Sequence, residues 1–291
     1  MPPAMEILKE EEASDGTRKI LLGLDDGLGV ECVLIPQRKS GRTTLCVSSQ
    51  AGCARGCVFC ATGRMGLRRN LSEQEILAQA ESAREAAARS GMAPPWTVVF
   101  MGMGEPMDNP EAVRAAVSSL TDPRRFGFSK RRVTVSTIGP TPAAFEALGT
   151  MDAMMAWSLH AADEGLRRRL VPSADHPPAV LRDALAGALA KRPPRMRVLM
   201  IEMTLIDGVN DRVEDADALA EFLAPLYPSA PKICVDLIPF NPVGGVAEWR
   251  QSPRERFLAF QRRLRDRKVF CSVRLPRGED VRAACGQLAT G

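Results

Sequence analysis

Thr44-Leu45-Cys46-Val47-Ser48-Ser49-Gln50-Ala51-Gly52-Cys53-Ala54-Arg55-Gly56-Cys57-Val58-Phe59-Cys60 joins a β-rich run, 44–47, to three cysteines spaced CxxxCxxC. Ser72 and Glu75 then have capping-box spacing, ahead of an Ala-rich stretch that ends near Ser90-Gly91. Strand, cysteine loop and helix in this order make one βα unit with the thiols in its connecting loop. Further strand-like runs at 97–101, 132–136, 154–159, 198–205 and 232–238 alternate with helical patterns. Together they count as six βα units. Right-handed crossovers favour a parallel sheet curling into a full or partial barrel, with function at the C-terminal strand ends. Upstream, β-rich runs at 20–24 and 30–35 flank Asp25-Asp26-Gly27, where Asp-Gly signals a hairpin. The expected fold is therefore α/β: a small β extension over residues 1–40 and a partial (βα)6 barrel over residues 41–291.

Composition bounds the function classes. A chain of 291 residues, 45% hydrophobic and 25% charged, has the average make-up of a globular domain, which excludes disordered and fibrous classes. It has no run of about 18 apolar residues, and residues 1–12 are acidic where a signal peptide is basic and apolar, so a cytoplasmic location without membrane contact is expected. Net charge is +4, too balanced to mark a nucleic-acid binder by itself. Local basic clusters stand at Arg64-Met65-Gly66-Leu67-Arg68-Arg69, Arg124-Arg125, Lys130-Arg131-Arg132, Arg167-Arg168-Arg169 and Arg262-Arg263-Leu264-Arg265. Any one of them is ordinarily a solvated face. The first three are expected to flank the barrel mouth and meet phosphate. With one Tyr and three Trp, the chain does not suit a sheet that reads RNA by stacking bases.

Cysteines carry the chemistry. Eight thiols in a reducing compartment are poor candidates for structural disulfides, and tight spacing marks Cys53, Cys57 and Cys60 as metal ligands or catalytic thiols. Three thiolates fall short of the four that structural zinc prefers, so either a fourth ligand comes from elsewhere or one position stays open. An iron-sulfur cube with three protein ligands leaves one iron free to bind a substrate. The alternative is a zinc knot completed by another Cys or His. Cys32, Cys234 and Cys271 fall in apolar runs and read as small core residues.

CxxxCxxC after a first barrel strand resembles the radical S-adenosylmethionine (SAM) superfamily, in which the open iron chelates the amino and carboxylate groups of SAM. Further stretches narrow this: Val30-Glu31-Cys32-Val33-Leu34-Ile35-Pro36, Cys46-Val47-Ser48-Ser49-Gln50, Gly102-Met103-Gly104-Glu105-Pro106, Ser136-Thr137, Ser158-Leu159-His160, Leu237-Ile238-Pro239-Phe240-Asn241-Pro242 and Ala284-Cys285-Gly286-Gln287-Leu288. In order, they resemble the dual-specificity rRNA/tRNA adenine methyltransferases that modify carbon 2, sisters of the carbon-8 enzymes of antibiotic resistance. The resemblance runs from about residue 15 to residue 288.

The resemblance implies a 4Fe-4S cluster on Cys53, Cys57 and Cys60, and two SAM molecules per turnover. It implies SAM contacts from Gly104, Glu105, Ser136, Ser158, Leu159, His160 and Asn241. A first SAM methylates Cys285; a radical from the second activates that methyl group, which adds to the base. Cys46 then attacks the Cys285 sulfur to release the product as a disulfide forms. Glu31 matches the proton acceptor, a role Cys46 can share. An RNA substrate, an electron donor such as a flavodoxin system, and a monomeric state are expected with it. Three departures stand out: only residues 1–14 precede the β extension where the family has a helical accessory domain; Asp236 replaces a usual Asn; and Ser173-Ala174-Asp175-His176 replaces a more polar loop. Alternatives are methylation of carbon 8 or of a non-RNA substrate, and a zinc-stabilised RNA-binding module without catalysis.

Overall fold

The computed structural model describes residues 5–244 and 248–290; residues 1–4 of the expected extension lie outside the described residues. An antiparallel meander opens the chain: β1 (Ile7–Glu12), β2 (Arg18–Gly23) and β3 (Gly29–Gln37). The turn at Asp25-Asp26-Gly27 joins the last two, with Gly27 at φ 80°. The acidic β1 carries no strand pattern in the sequence. Cross-strand pairs hold it instead, Glu10 to Arg18 at 2.7 Å and Glu11 to Lys19 at 3.3 Å.

β4 (Arg42–Val47) begins the barrel. The cysteine loop and α1 (Ala61–Met65) lie inside a hairpin of β5 (Gln50–Cys53) and β6 (Gly66–Asn70), after which α2 (Glu73–Arg89) returns to β7 (Pro95–Phe100). There follow α3 (Pro110–Thr121), β8 (Val133–Thr137), α4 (Pro142–Gly149), β9 (Met154–Ser158), α5 (Glu164–Leu170), α6 (Pro178–Ala190), β10 (Val198–Leu205), α7 (Val213–Leu223), β11 (Lys232–Pro239), α8 (Arg254–Asp266) and β12 (Cys271–Val273). One ten-stranded sheet runs in the order β1-β2-β3-β4-β7-β8-β9-β10-β11-β12. From β4 onward every neighbouring pair is parallel. The six expected barrel strands are all present, and the short β12 extends them.

Period-two alternation sorts the side chains. On β8, Val133 and Val135 are buried toward the helices while Ser136 faces the interior cavity; on β10, Leu199, Ile201 and Met203 pack outward while Glu202 and Thr204 line that cavity. α2 covers β3 and β4 with Ile76, Leu77, Ala80 and Ala83, and its first turn carries the expected capping box, Ser72 Oγ accepting from Glu75 N and Glu75 Oε2 accepting from Ser72 N. Such a cap contributes about 1 kcal/mol. Cys32 and Cys271 are core residues as expected, whereas Cys234 is half-buried and touches Ser272 at 3.4 Å.

Candidate active site

The cysteine loop is shaped by backbone constraints before any metal is considered. Gly52 sits at φ 78°, and a Cβ there would lie 2.0 Å from the Gly66 carbonyl oxygen, so a side chain would break the β5–β6 hairpin. Val58 N–H donates to Leu170 O at 3.1 Å and Ser173 Oγ donates to Arg55 O at 2.9 Å. Arg55 closes the near side, its Nε donating to Asp108 Oδ2 at 2.7 Å.

Cys53, Cys57 and Cys60 line one cavity of about 510 Å³ at the C-terminal strand ends. Burial raises all three thiols, Cys53 to about 12, and neighbouring thiols add to it. Such a set keeps its charge only against cations that displace the protons, which suits a metal cluster. Among the described residues no group of three His, Cys, Asp or Glu is drawn together for a single metal ion. Three thiols on one cavity wall fit a cube ligated at three corners.

The opposite wall is polar. Gly104 has φ 98°, and a Cβ would lie 2.6 Å from Gln50 Cβ, so only glycine lets this loop pass. Glu105 is buried and accepts from Met107 N–H and Ile138 N–H, each at 2.9 Å; burial lifts its pKa to about 7. Ser136 Oγ and Ser158 Oγ donate to Glu202 Oε2 at 2.6 and 2.8 Å. His160 accepts from Thr204 N–H at 3.2 Å through Nδ1, and its ring meets the Phe59 ring edge-on at 4.5 Å. Burial, reinforced by nearby Arg167, pulls His160 down to about 3, so it is neutral. Asn241 donates to Cys285 O at 2.9 Å, while its buried Oδ1 has no partner among the described residues, an acceptor left for a bound molecule. Leu159 is fully buried and does not line the cavity.

Both candidate thiols reach the same space. Cys46 projects inward from β4, and burial pushes its pKa up to about 12, followed by the proximity of Cys285. Cys285 is exposed on the cavity wall. The segment around it is tied to the cysteine loop: Ala61 N–H donates to Gly286 O at 2.6 Å and Thr62 Oγ1 to Leu288 O at 2.6 Å. Glu31, like Leu159, is an exception among the candidates. It is not part of the cavity wall; its Oε2 accepts from Ala289 N–H at 2.9 Å and its Oε1 lies 3.3 Å from Lys19 Nζ.

The radical SAM superfamily model matches residues 47–223. A probable RNA methyltransferase of Sorangium cellulosum is 46% identical over 99% of this chain and 69% of its own. The dual-specificity RNA methyltransferase RlmN of Alkalilimnicola ehrlichii is 45% identical over 97% of this chain and 76% of its own. The chain belongs to the RlmN-type radical SAM methyltransferases. A crystal structure of a radical SAM methyltransferase from Sphaerobacter thermophilus superposes with a TM-score of 0.88 at 38% identity, covering 98% of this chain and 81% of that one. Radical SAM enzymes use a 4Fe-4S cluster and SAM, and three thiols sharing a cavity with Glu105, Ser136, Ser158 and Asn241 fit that pair.

Two charged residues of this radical SAM site escape sequence reading. Arg274 pairs with Glu202 at 2.8 Å and donates from Nε to Asp236 Oδ2 at 2.8 Å, and its Nη1 lies 3.5 Å from Cys285 Sγ. Burial raises the Glu202 carboxyl, but Arg274 and the two serine hydroxyls more than reverse this and keep it ionised. A lone Glu at the centre of Val198-Leu199-Met200-Ile201-Glu202-Met203-Thr204-Leu205 was the available signal. We expect Arg274→Met to cost on the order of 3–5 kcal/mol by leaving two carboxylates unpaired. Asp236→Asn should cost far less, and a urea denaturation midpoint equal to wild type for Arg274→Met would refute the coupling.

The basic clusters distribute differently from expectation. Arg64, Arg68 and Arg69 do lie beside the cysteine loop, on α1 and β6. Arg124-Arg125 and Lys130-Arg131-Arg132 come after α3 and directly before β8, at the N-terminal strand ends and away from the mouth. A cluster that immediately precedes a parallel strand has to lie there. Arg167 is buried: its guanidinium donates to the carbonyls of Ile138, Ser158 and Leu159, pinning two strand ends.

Proposed function

We propose that this protein methylates carbon 2 of an adenosine in RNA, whether rRNA, tRNA or both, through a methyl group carried on Cys285. The observation that supports this most is that Cys285 and Cys46 line the same cavity as Cys53, Cys57 and Cys60, although 225 residues separate Cys60 from Cys285. Adenine carbon 2 is an electron-poor amidine carbon without a nucleophilic lone pair, so direct displacement on a sulfonium cannot methylate it. When bound, the 4Fe-4S cluster supplies the electron for reductive cleavage of SAM, of which two molecules are used per turnover.

Within this reading Cys285 Sγ receives the methyl group and delivers its carbon to the base. Cys46, a neutral thiol at rest, loses its proton and attacks Cys285 Sγ; the bond from that sulfur to the transferred carbon breaks, the electron pair stays with the carbon, which takes up a proton to become the product methyl group, and a disulfide remains for a reductant to open. All eight cysteines are free in the structure, the state from which such a cycle starts. Glu31 takes the proton from the base, a role supported by burial that raises its pKa. To reach substrate it must shed its bond from Ala289, so the tail moves during the reaction. Gly104, Glu105, Ser136, Ser158, His160 and Asn241 hold SAM, with Leu159 contributing through its backbone. Arg274 positions Cys285.

The same reading makes the protein a cytoplasmic monomer, reduced by a flavodoxin-type donor, with residues 1–40 as an extension of the barrel at 41–291. No helix among the described residues is long and apolar enough to cross a membrane. The test is mass mapping of 23S rRNA and tRNA after anaerobic incubation with the reconstituted enzyme, SAM and dithionite. One methyl group on adenosine carbon 2 is expected; label confined to carbon 8, or to no RNA at all, contradicts the proposal.

Glu105 gives this site a pH signature. A carboxyl with pKa about 7 is ionised above that value and neutral below it. Only the ionised form attracts the SAM ammonium, so SAM affinity of the reconstituted protein should be about tenfold higher at pH 8 than at pH 6. Glu105→Gln should flatten that dependence in a calorimetric titration. A wild-type profile that is already flat rejects the assignment.

A further inference from the structure

The cations that lie away from the mouth form an ordered feature of their own. Across the sheet in its hydrogen-bonding order, the N-terminal strand ends present Arg42 on β4, Trp96 on β7, Arg131 and Arg132 ahead of β8, Arg195 and Arg197 ahead of β10, and Lys232 on β11. The guanidinium carbons of Arg42 and Arg132 lie 4.5 and 3.2 Å from the Trp96 ring centre, so one indole carries two cations. Arg131, Arg195, Arg197 and Lys232 line a second hollow of about 200 Å³, whose other lining residues are Pro194, Val198 and Pro231. It contains no carboxylate.

Among the described residues the side chains of Arg131, Arg195 and Lys232 have neither an ion pair nor a hydrogen bond, and Arg197 donates to the carbonyls of Arg192 at 2.8 Å and Ala190 at 2.7 Å. Asp152, just ahead of β9 on this same edge, is already paired with Lys130 at 2.7 Å. Several arginines elsewhere are neutralised: Arg18, Arg69, Arg256, Arg263 and Arg267 each pair with carboxylates. Fold stability does not require like charges to converge here unpaired.

Shape narrows the ligand. From β4 to β11 the edge spans six strands, about 24 Å at the usual strand spacing. A row of separated cations of that width matches a polyanion better than one small anion. We propose that this N-terminal edge is a second RNA-binding surface, which holds the phosphate backbone of a segment remote from the nucleotide in the cavity. The proposal rests on RNA being the acceptor. A large folded RNA can touch both faces of the barrel, whereas a short hairpin presenting the target adenosine cannot.

The test uses the full chain and the variant Arg131→Gln/Arg195→Gln/Lys232→Gln, with fluorescence anisotropy of a 23S rRNA transcript and of a short target hairpin from about 50 to about 200 mM salt. For the large RNA, the variant should bind at least tenfold more weakly at low salt, and the slope of log affinity against log salt should fall in magnitude by about 2–3, three contacts at roughly 0.7–0.9 each. The hairpin should bind both proteins equally, which also shows that the variant is folded. Equal affinity and equal slope on the large RNA overturn the surface alone. So does a loss that millimolar inorganic pyrophosphate reproduces on wild type without changing the slope, since that describes a small-anion site. A wild type that binds no RNA overturns the proposed function and this surface together.

Discussion

Cys46→Ala should stall the enzyme with RNA covalently attached to it. Cys285 is untouched by this change and keeps its contacts with Arg274 and Asn241, so it still receives a methyl group and still joins to the base. What is lost is the cavity-wall thiol assigned to attack Cys285. Without that nucleophile the Cys285 adduct has no thiol to release it, and free methylated RNA should fall by at least about 100-fold. The trapped species should run as a retarded band in denaturing gels, and nuclease digestion followed by mass mapping should place the nucleotide on Cys285. Cys46 is buried, with only 8% of its surface exposed, but the replacement removes a single sulfur, so the cost to folding is small beside this effect. Freely released product at wild-type turnover would exclude Cys46 from the resolving role.

Cys285→Ala should fail earlier and leave no adduct. The sulfur that accepts the methyl group is gone, yet Cys53, Cys57 and Cys60 remain, so iron and sulfide content after anaerobic reconstitution should equal wild type. No methyl label should reach protein or RNA. The pair of variants thus separates two halves of one cycle, one arrested before bond formation and one after it. Labelled RNA from Cys285→Ala would remove this residue from the reaction, whatever its position on the wall.

Much of the architecture was legible because barrel strands obey simple periodicity. The run at 198–205 coincides with β10, and the capping spacing of Ser72 and Glu75 marks the start of α2. β1 was illegible because Leu8-Lys9-Glu10-Glu11-Glu12 has no apolar alternation; partners on β2 hold it. Cys53, Cys57 and Cys60 announce themselves by spacing, and resemblance supplied the remaining candidates. Arg274 did not announce itself. Its role depends on Glu202 from β10 and Asp236 from β11, which come together only once the sheet has curled. Glu31 shows the opposite difficulty, since resemblance points to it while its carboxylate lies under the tail, bonded to Ala289.

Ala61 and Thr62 follow Cys60 directly, and their bonds to Gly286 and Leu288 fasten the tail to the cysteine turn. Both bonds form from the protein's own groups and need no metal. Cys60 and Cys285 therefore ride on one hydrogen-bonded unit, and a displacement of either segment is passed to the other.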